Sequence, residues 1–187
     1  NLRNKDFNME QSSHQRLLLN YSSARRSWES WCYMNNLHLK VSNSDLKSYC
    51  TDNELLSHLR YLALKDIHIE LYKIIKDKDR TCADNIFKCL RKFESEDANV
   101  SKHLELSEDL KSSIDSILNA RDKFYAHLDA DYKFYLDPKF KVQSYYDVFV
   151  YIEQGIKLLG LNKEFEVTLS QIPSRDDFEL DLKYQNV

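Results

Sequence analysis

Two glycines and two prolines in 187 residues are far below ordinary usage, which is roughly 7% and 5%. Sheet-rich folds need tight turns, and tight turns draw on glycine and proline. The shortage therefore argues against a β-sandwich, a barrel, a Rossmann core and a phosphate-cradling glycine loop. Cysteine is also sparse. None of the four, Cys32, Cys50, Cys82 and Cys89, has the C-x-x-C spacing of a zinc knuckle or a redox pair. Cys82 and Cys89 stand seven apart, on one face of a helix, and read as small core residues. No apolar run approaches the roughly 20 residues that span a bilayer. No basic excess marks a non-specific nucleic-acid binder, because the formal net charge is −3.

What is present is a core-forming chain, 42% apolar and 12% aromatic. Those values suit one soluble helical domain rather than a disordered segment. We read residues 1–160 as that domain, with its core at about 50–160, and 161–187 as an acidic C-terminal extension. The extension holds six acids against three bases, which accounts for the whole net charge. With no membrane span, no signal peptide and no disulfide framework, the chain reads as cytoplasmic. It begins at Asn1 rather than Met and reads as a trimmed chain or a fragment.

Apolar spacing predicts a helix over 8–35 through Leu17, Leu18, Tyr21, Trp28, Trp31 and Cys32, broken by a polar patch at Ser22–Arg26. Residues 36–50 read as a loop or short helix. Thr51 and Glu54 have capping-box spacing, and Leu55, Leu59, Leu62, Ile69, Tyr72 and Ile74 form an apolar stripe behind them. A further helix is expected over 81–95, then a polar connection over 95–104. Ser107 is the expected N-cap of the next helix, with Glu108 and Asp109 in its first turn, where acids favour the dipole. Residues 129–142 read as a structured loop. A last helix is expected over 144–159 with Gly160 as its stop. Residues 164–169 read as a short strand or as irregular docked chain.

Most catalytic templates are missing: there is no HExxH, GxSxG, GxxxxGK[ST] or EF-hand loop. His58 and His68 lie ten apart and do not share a helix face, and Asp129 with Asp131 reads as a solvated D-x-D pair. No metal or other cofactor is expected. The segment with chemical content is RDKFYAHLD, residues 121–129. Arg121 ends an apolar stripe, and His127 follows six residues later. Histidine titrates near neutrality, so it can take a proton from an RNA 2′-hydroxyl or give one to the leaving oxygen. Arginine holds phosphate through two parallel hydrogen bonds and can stabilise a pentacovalent transition state. Together they can cleave RNA to a 2′,3′-cyclic phosphate, a route closed to DNA.

This segment resembles the signature of the HEPN superfamily: an Arg, four to six residues, then His, with a polar residue commonly after the Arg. Asp122 fills that polar position. The wording is most similar to the abortive-infection HEPN proteins of the AbiU type. The detailed match covers about nine residues, and the helical order extends it over about 50–160. The resemblance implies an all-α bundle that dimerises, with Arg121 and His127 of two protomers facing across a cleft to form one metal-independent ribonuclease site. It implies an RNA substrate and a setting in prokaryotic defence, with an antitoxin or other defence protein as a further partner. Helix geometry is compatible: six residues at about 100° each leave Arg121 and His127 roughly 120° apart. They converge if the helix ends or bulges between them, or if the partners come from two chains.

Lys123, Tyr125 and Asp122 have supporting roles in this reading. Lys123 neutralises a neighbouring phosphate, Tyr125 stacks on a base, and Asp122 orients Arg121 or His127. Other readings stand beside it. Arg121 suits a helix-end ion pair with Asp115 or Asp122, and His127 suits a helix C-cap. A non-catalytic helical dimer acting as a protein-interaction module is the main alternative. A small-nucleotide binder using Arg121 and Lys123 is a third.

Overall fold

The computed structural model of the chain describes residues 2–40, 44–45, 52–77, 85–122 and 142–161. Among them there are six helices and no strand: α1 (Leu2–Lys40), α2 (Glu54–Ile75), α3 (Ile86–Arg91), α4 (Ala98–Leu104), α5 (Glu108–Ala120) and α6 (Val142–Leu158). The all-α expectation holds. The loop expected at 129–142 falls almost wholly, and the strand expected at 164–169 wholly, outside the described residues.

The first helix differs from the sequence reading. It runs unbroken through 39 residues, and the patch at Ser22–Arg26 does not interrupt it. No glycine or proline occurs between Leu2 and Lys40, so nothing in the backbone opposes helix there. The patch also faces inward in part. Ala24 is fully buried, and Arg25 is nearly so. The core stripe of α1 is Leu17, Tyr21, Ala24, Trp28 and Cys32.

The most extensive helix–helix contact among the described residues is α1 against α2. Ser27 Oγ donates across it to Asp66 Oδ2. The N-cap of α2 is Asn53, whose Oδ1 accepts from the Leu56 N–H at 3.0 Å. The Thr51–Glu54 capping box is therefore corrected: Asn53 stands directly before the first helical residue and supplies the cap itself. The apolar stripe is corrected in its first half only, since Ile74 is buried and Ile69 and Tyr72 are half-buried. Leu55, Leu59 and Leu62 are exposed, whereas Leu64, Ile67, His68, Leu71, Ile74 and Ile75 are buried. The helix carries apolar side chains on two faces, and the second is the buried one.

The helix expected over 81–95 is shorter, and the connection after it is partly helical. Asn85 caps α3 through Oδ1, accepting from Lys88 N–H at 2.8 Å, and its Nδ2 donates to the Lys76 carbonyl at 3.0 Å. One buried amide thus serves the start of α3 and the end of α2. Residues 98–104 form α4 because Asp97 caps the Asn99 N–H at 2.8 Å. The Ser107 cap of α5 is as expected, accepting from Leu110 N–H at 3.3 Å.

In α6, Tyr145, Val148, Phe149, Tyr151, Ile152 and Ile156 are buried. Gly160 ends the helix with φ of 70°, a conformation that costs side-chain-bearing residues energy. Its N–H reaches Lys157 O, and Leu161 N–H reaches Ile156 O, the pair of bonds that closes a Schellman turn. The centre of the core is aromatic. Trp28 stacks at 5.1 Å on Tyr145 and at 5.4 Å on Trp31, and Phe149 meets Tyr21 edge-on at 5.9 Å.

Candidate functional site

The end of α5 places the candidate arginine. Ser113, Ile114, Ile117 and Ala120 are buried along one face, so the helix is held in register up to Arg121. The Arg121 N–H donates to both Ile117 O and Leu118 O. From there the backbone widens into a π-helical turn at residues 121 and 122. Such bulges re-aim side chains and recur at functional sites. The stretch between Arg121 and His127, where the sequence reading placed a helix end or bulge, lies outside the described residues from 123 on.

The guanidinium of Arg121 lies 4.1 Å from the centre of the Tyr72 ring, on α2. Its Nη1 donates to Asp122 Oδ1 at 2.9 Å. The other carboxylate oxygen of Asp122 is 3.8 Å from Lys76 Nζ, and Lys76 also sits 5.2 Å from the Tyr72 ring centre. One aromatic ring and one carboxylate therefore gather two cations. A cation over an aromatic face gains about 0.5–1 kcal/mol at an exposed site. The side chains remain 35% exposed for Arg121, 30% for Lys76 and 45% for Asp122. The cluster is open to a ligand from solvent, and its formal charge is +1. No described acceptor is bonded to Nε or Nη2 of Arg121, so part of the guanidinium fork is available to an oxyanion.

Of the residues singled out by sequence, the structure brings Arg121 and Asp122 together. Asp115 is exposed and does not join them. His127, Lys123 and Tyr125 lie outside the described residues, as do Asp129, Asp131 and Cys82. Tyr72 and Lys76 were missed as site residues. Their spacing of four on one helix was visible, but their convergence on Arg121 depends on how α2 packs against α5.

His68 has a structural role. It is fully buried, with Nδ1 2.7 Å from Leu64 O and Nε2 2.7 Å from Tyr145 Oη. A carbonyl only accepts, so Nδ1 carries the proton and Nε2 accepts from the tyrosine hydroxyl. Burial pushes its pKa down to about 4, which keeps the ring neutral at physiological pH. His58, ten residues earlier, is exposed. Among the described residues no group of His, Cys, Asp or Glu could hold a metal ion, and no helix is long and apolar enough to cross a membrane. No family model, curated protein or solved structure matches this chain.

Proposed function

We propose that the protein is a metal-independent endoribonuclease of HEPN type, acting as a homodimer on RNA in the manner of a toxin or abortive-infection effector. The observation that supports this reading is the setting of Arg121. It stands at a widened helix end, half-exposed, held by Tyr72 and Asp122 with Lys76 beside it. In that role Arg121 grips the scissile phosphate and stabilises its developing charge. Asp122 and Tyr72 hold the guanidinium in place, and Lys76 adds positive charge nearby. His127 supplies the proton transfer. A bundle-end arrangement of this kind can be shared by two protomers around a two-fold axis.

The test is cleavage of RNA by the purified chain. His127→Ala and Arg121→Ala are each expected to lower the rate by about 10²–10⁴-fold while the fold is retained. Matched DNA should be spared, products should end in a 2′,3′-cyclic phosphate, and EDTA should not slow the reaction. Full activity in both variants, or loss of activity with EDTA, would overturn the mechanism.

The exposed stripe Leu55, Leu59 and Leu62 favours a second reading, a helical interaction module. Three apolar residues at helical spacing on an open face are the pattern a partner helix covers. In that case wild type is inert on diverse RNAs, and substitutions in this stripe, rather than at Arg121, abolish its biological effect.

A further inference from the structure

A groove of about 510 Å³ opens between α4 and α6, lined by Asn99, Lys102, His103, Gln154, Lys157 and Leu158. That size suits a small organic ligand, for which pockets run from about 300 to 1,000 Å³. Its histidine is held on three sides. His103 lies face to face with Tyr151, with ring centres 4.2 Å apart and planes within 9°. Its Nε2 is 3.1 Å from Tyr151 O, so Nε2 carries the proton and donates it to that carbonyl. Gly155 lets the two helices come this close, since a Cβ there would stand 3.3 Å from Nε2 and 3.0 Å from Ile86. Nδ1 has no partner among the described residues.

The walls are cationic and unbalanced. Lys102 and Lys157 are exposed, and neither forms an ion pair among the described residues. By contrast Lys73, Lys76, Lys111 and Arg91 pair with Glu70, Asp122, Glu108 and Asp77. None of the six lining residues is acidic. Two ammonium groups with no acid among the lining residues favour an oxyanion, and a phosphate is such a group. Two amides can both donate and accept, and Leu158 offers an apolar edge.

We infer that this groove binds a phosphate-bearing small molecule of nucleotide size. Lys102 and Lys157 hold the phosphate, and Asn99, Gln154 and Leu158 hold the organic part. The groove shares no residue with the cluster of Tyr72, Lys76, Arg121 and Asp122, so the inference does not rest on the ribonuclease reading.

The test uses the full chain with adenosine monophosphate, inorganic phosphate and adenosine as probes, read by calorimetry and by histidine-ring NMR. Adenosine monophosphate is expected to bind with a Kd of about 1 mM or tighter and to move the His103 resonances while leaving those of His58 in place. Inorganic phosphate should compete with it, and adenosine should bind at least about tenfold more weakly. The Lys102→Ala, Lys157→Ala double variant should weaken the nucleotide by about tenfold or more with an unchanged melting temperature. The corresponding arginine variant should restore binding. Absence of saturable binding at about 10 mM, equal binding of adenosine, or equal affinity in the double variant would overturn the inference.

Discussion

Arg121 is held by one charge contact and one ring contact, and the two respond differently to substitution. Arg121→Lys keeps a positive charge that can still meet Asp122, but loses the planar fork and the flat stacking surface on Tyr72. If the arginine acts on a phosphate transition state, RNA cleavage should fall at least about 100-fold while the melting temperature moves by no more than a degree or two. An arginine that serves only as a helix-end ion pair predicts lysine tolerance instead. Paired kinetic and thermal measurements on this one variant separate the readings. A second residue-scale prediction concerns Glu29. Burial pushes its carboxyl pKa up to about 7, against the opposing pull of Arg25 and Arg26. Folding therefore favours the protonated form. Its stabilising contribution is complete below the ordinary value of 4.5 and is lost as pH rises through about 7. Glu29 Oε1 also lies 3.3 Å from Arg25 Nε, so Glu29→Gln should remove the fall in melting temperature between pH 4.5 and 8 rather than raise stability at every pH. His68 acts in the opposite sense. With its pKa lowered from 6.5 to about 4, its contribution is present above 6.5 and lost as pH falls through about 4.

At the scale of elements, caps decide where helices start, and one cap links two of them. Asn85 is fully buried and bonds both the first turn of α3 and the Lys76 carbonyl at the end of α2. Asn85→Ala should cost about 2–3 kcal/mol, because it removes a cap and strands a carbonyl. Ser107→Ala, which touches only the exposed start of α5, should cost about 1 kcal/mol. Denaturant unfolding of both variants checks the ratio. Lys76 follows directly from the end that Asn85 holds, so Asn85→Ala should also loosen the contact with Asp122 and Tyr72. Ser107 is a cap of the kind sequence shows, a short polar residue before a periodic run, whereas at α2 the local pattern pointed to Thr51 and the cap is Asn53. The start of α3 was harder to place, because Asn85 acts through a bond to α2 as well as through its own helix.

For the whole molecule, the ribonuclease reading requires two copies of the end of α5 to meet. Light scattering should give twice the 22.3 kDa of one chain at micromolar concentration. A monomer throughout that range would count heavily against a composite site. The exposed Leu55, Leu59 and Leu62 offer an apolar face for association. If association uses that face rather than the end of α5, Leu59→Glu should abolish the dimer and Arg121→Lys should not.

Local chemistry was enough to read some features from the chain itself. The lack of glycine and proline predicts helix, Ser107 starts α5, Gly160 ends α6, and Arg121 with Asp122 marks a polar end on an apolar stripe. Each depends on backbone freedom or on bonds within a few residues, which are written in the local sequence. Packing decided the rest. Periodicity shows that α2 has apolar faces but not which one is buried, and the choice of Leu64, Ile67 and Leu71 over Leu55, Leu59 and Leu62 depends on where α1 and α6 lie. Arg25 belongs to the polar patch that was expected to break the first helix, yet it is buried beside Phe149, with its guanidinium 5.6 Å from that ring. The sequence shows of His68 only that it does not share a helix face with His58, whereas in the fold it is fully buried and bonded to Leu64 O and the Tyr145 hydroxyl. Tyr72 meets Arg121, and Lys76 meets Asp122, from about 45–50 residues away in the chain. Such contacts form only when helices pack and remove side chains from water, and no run of neighbouring residues encodes that geometry.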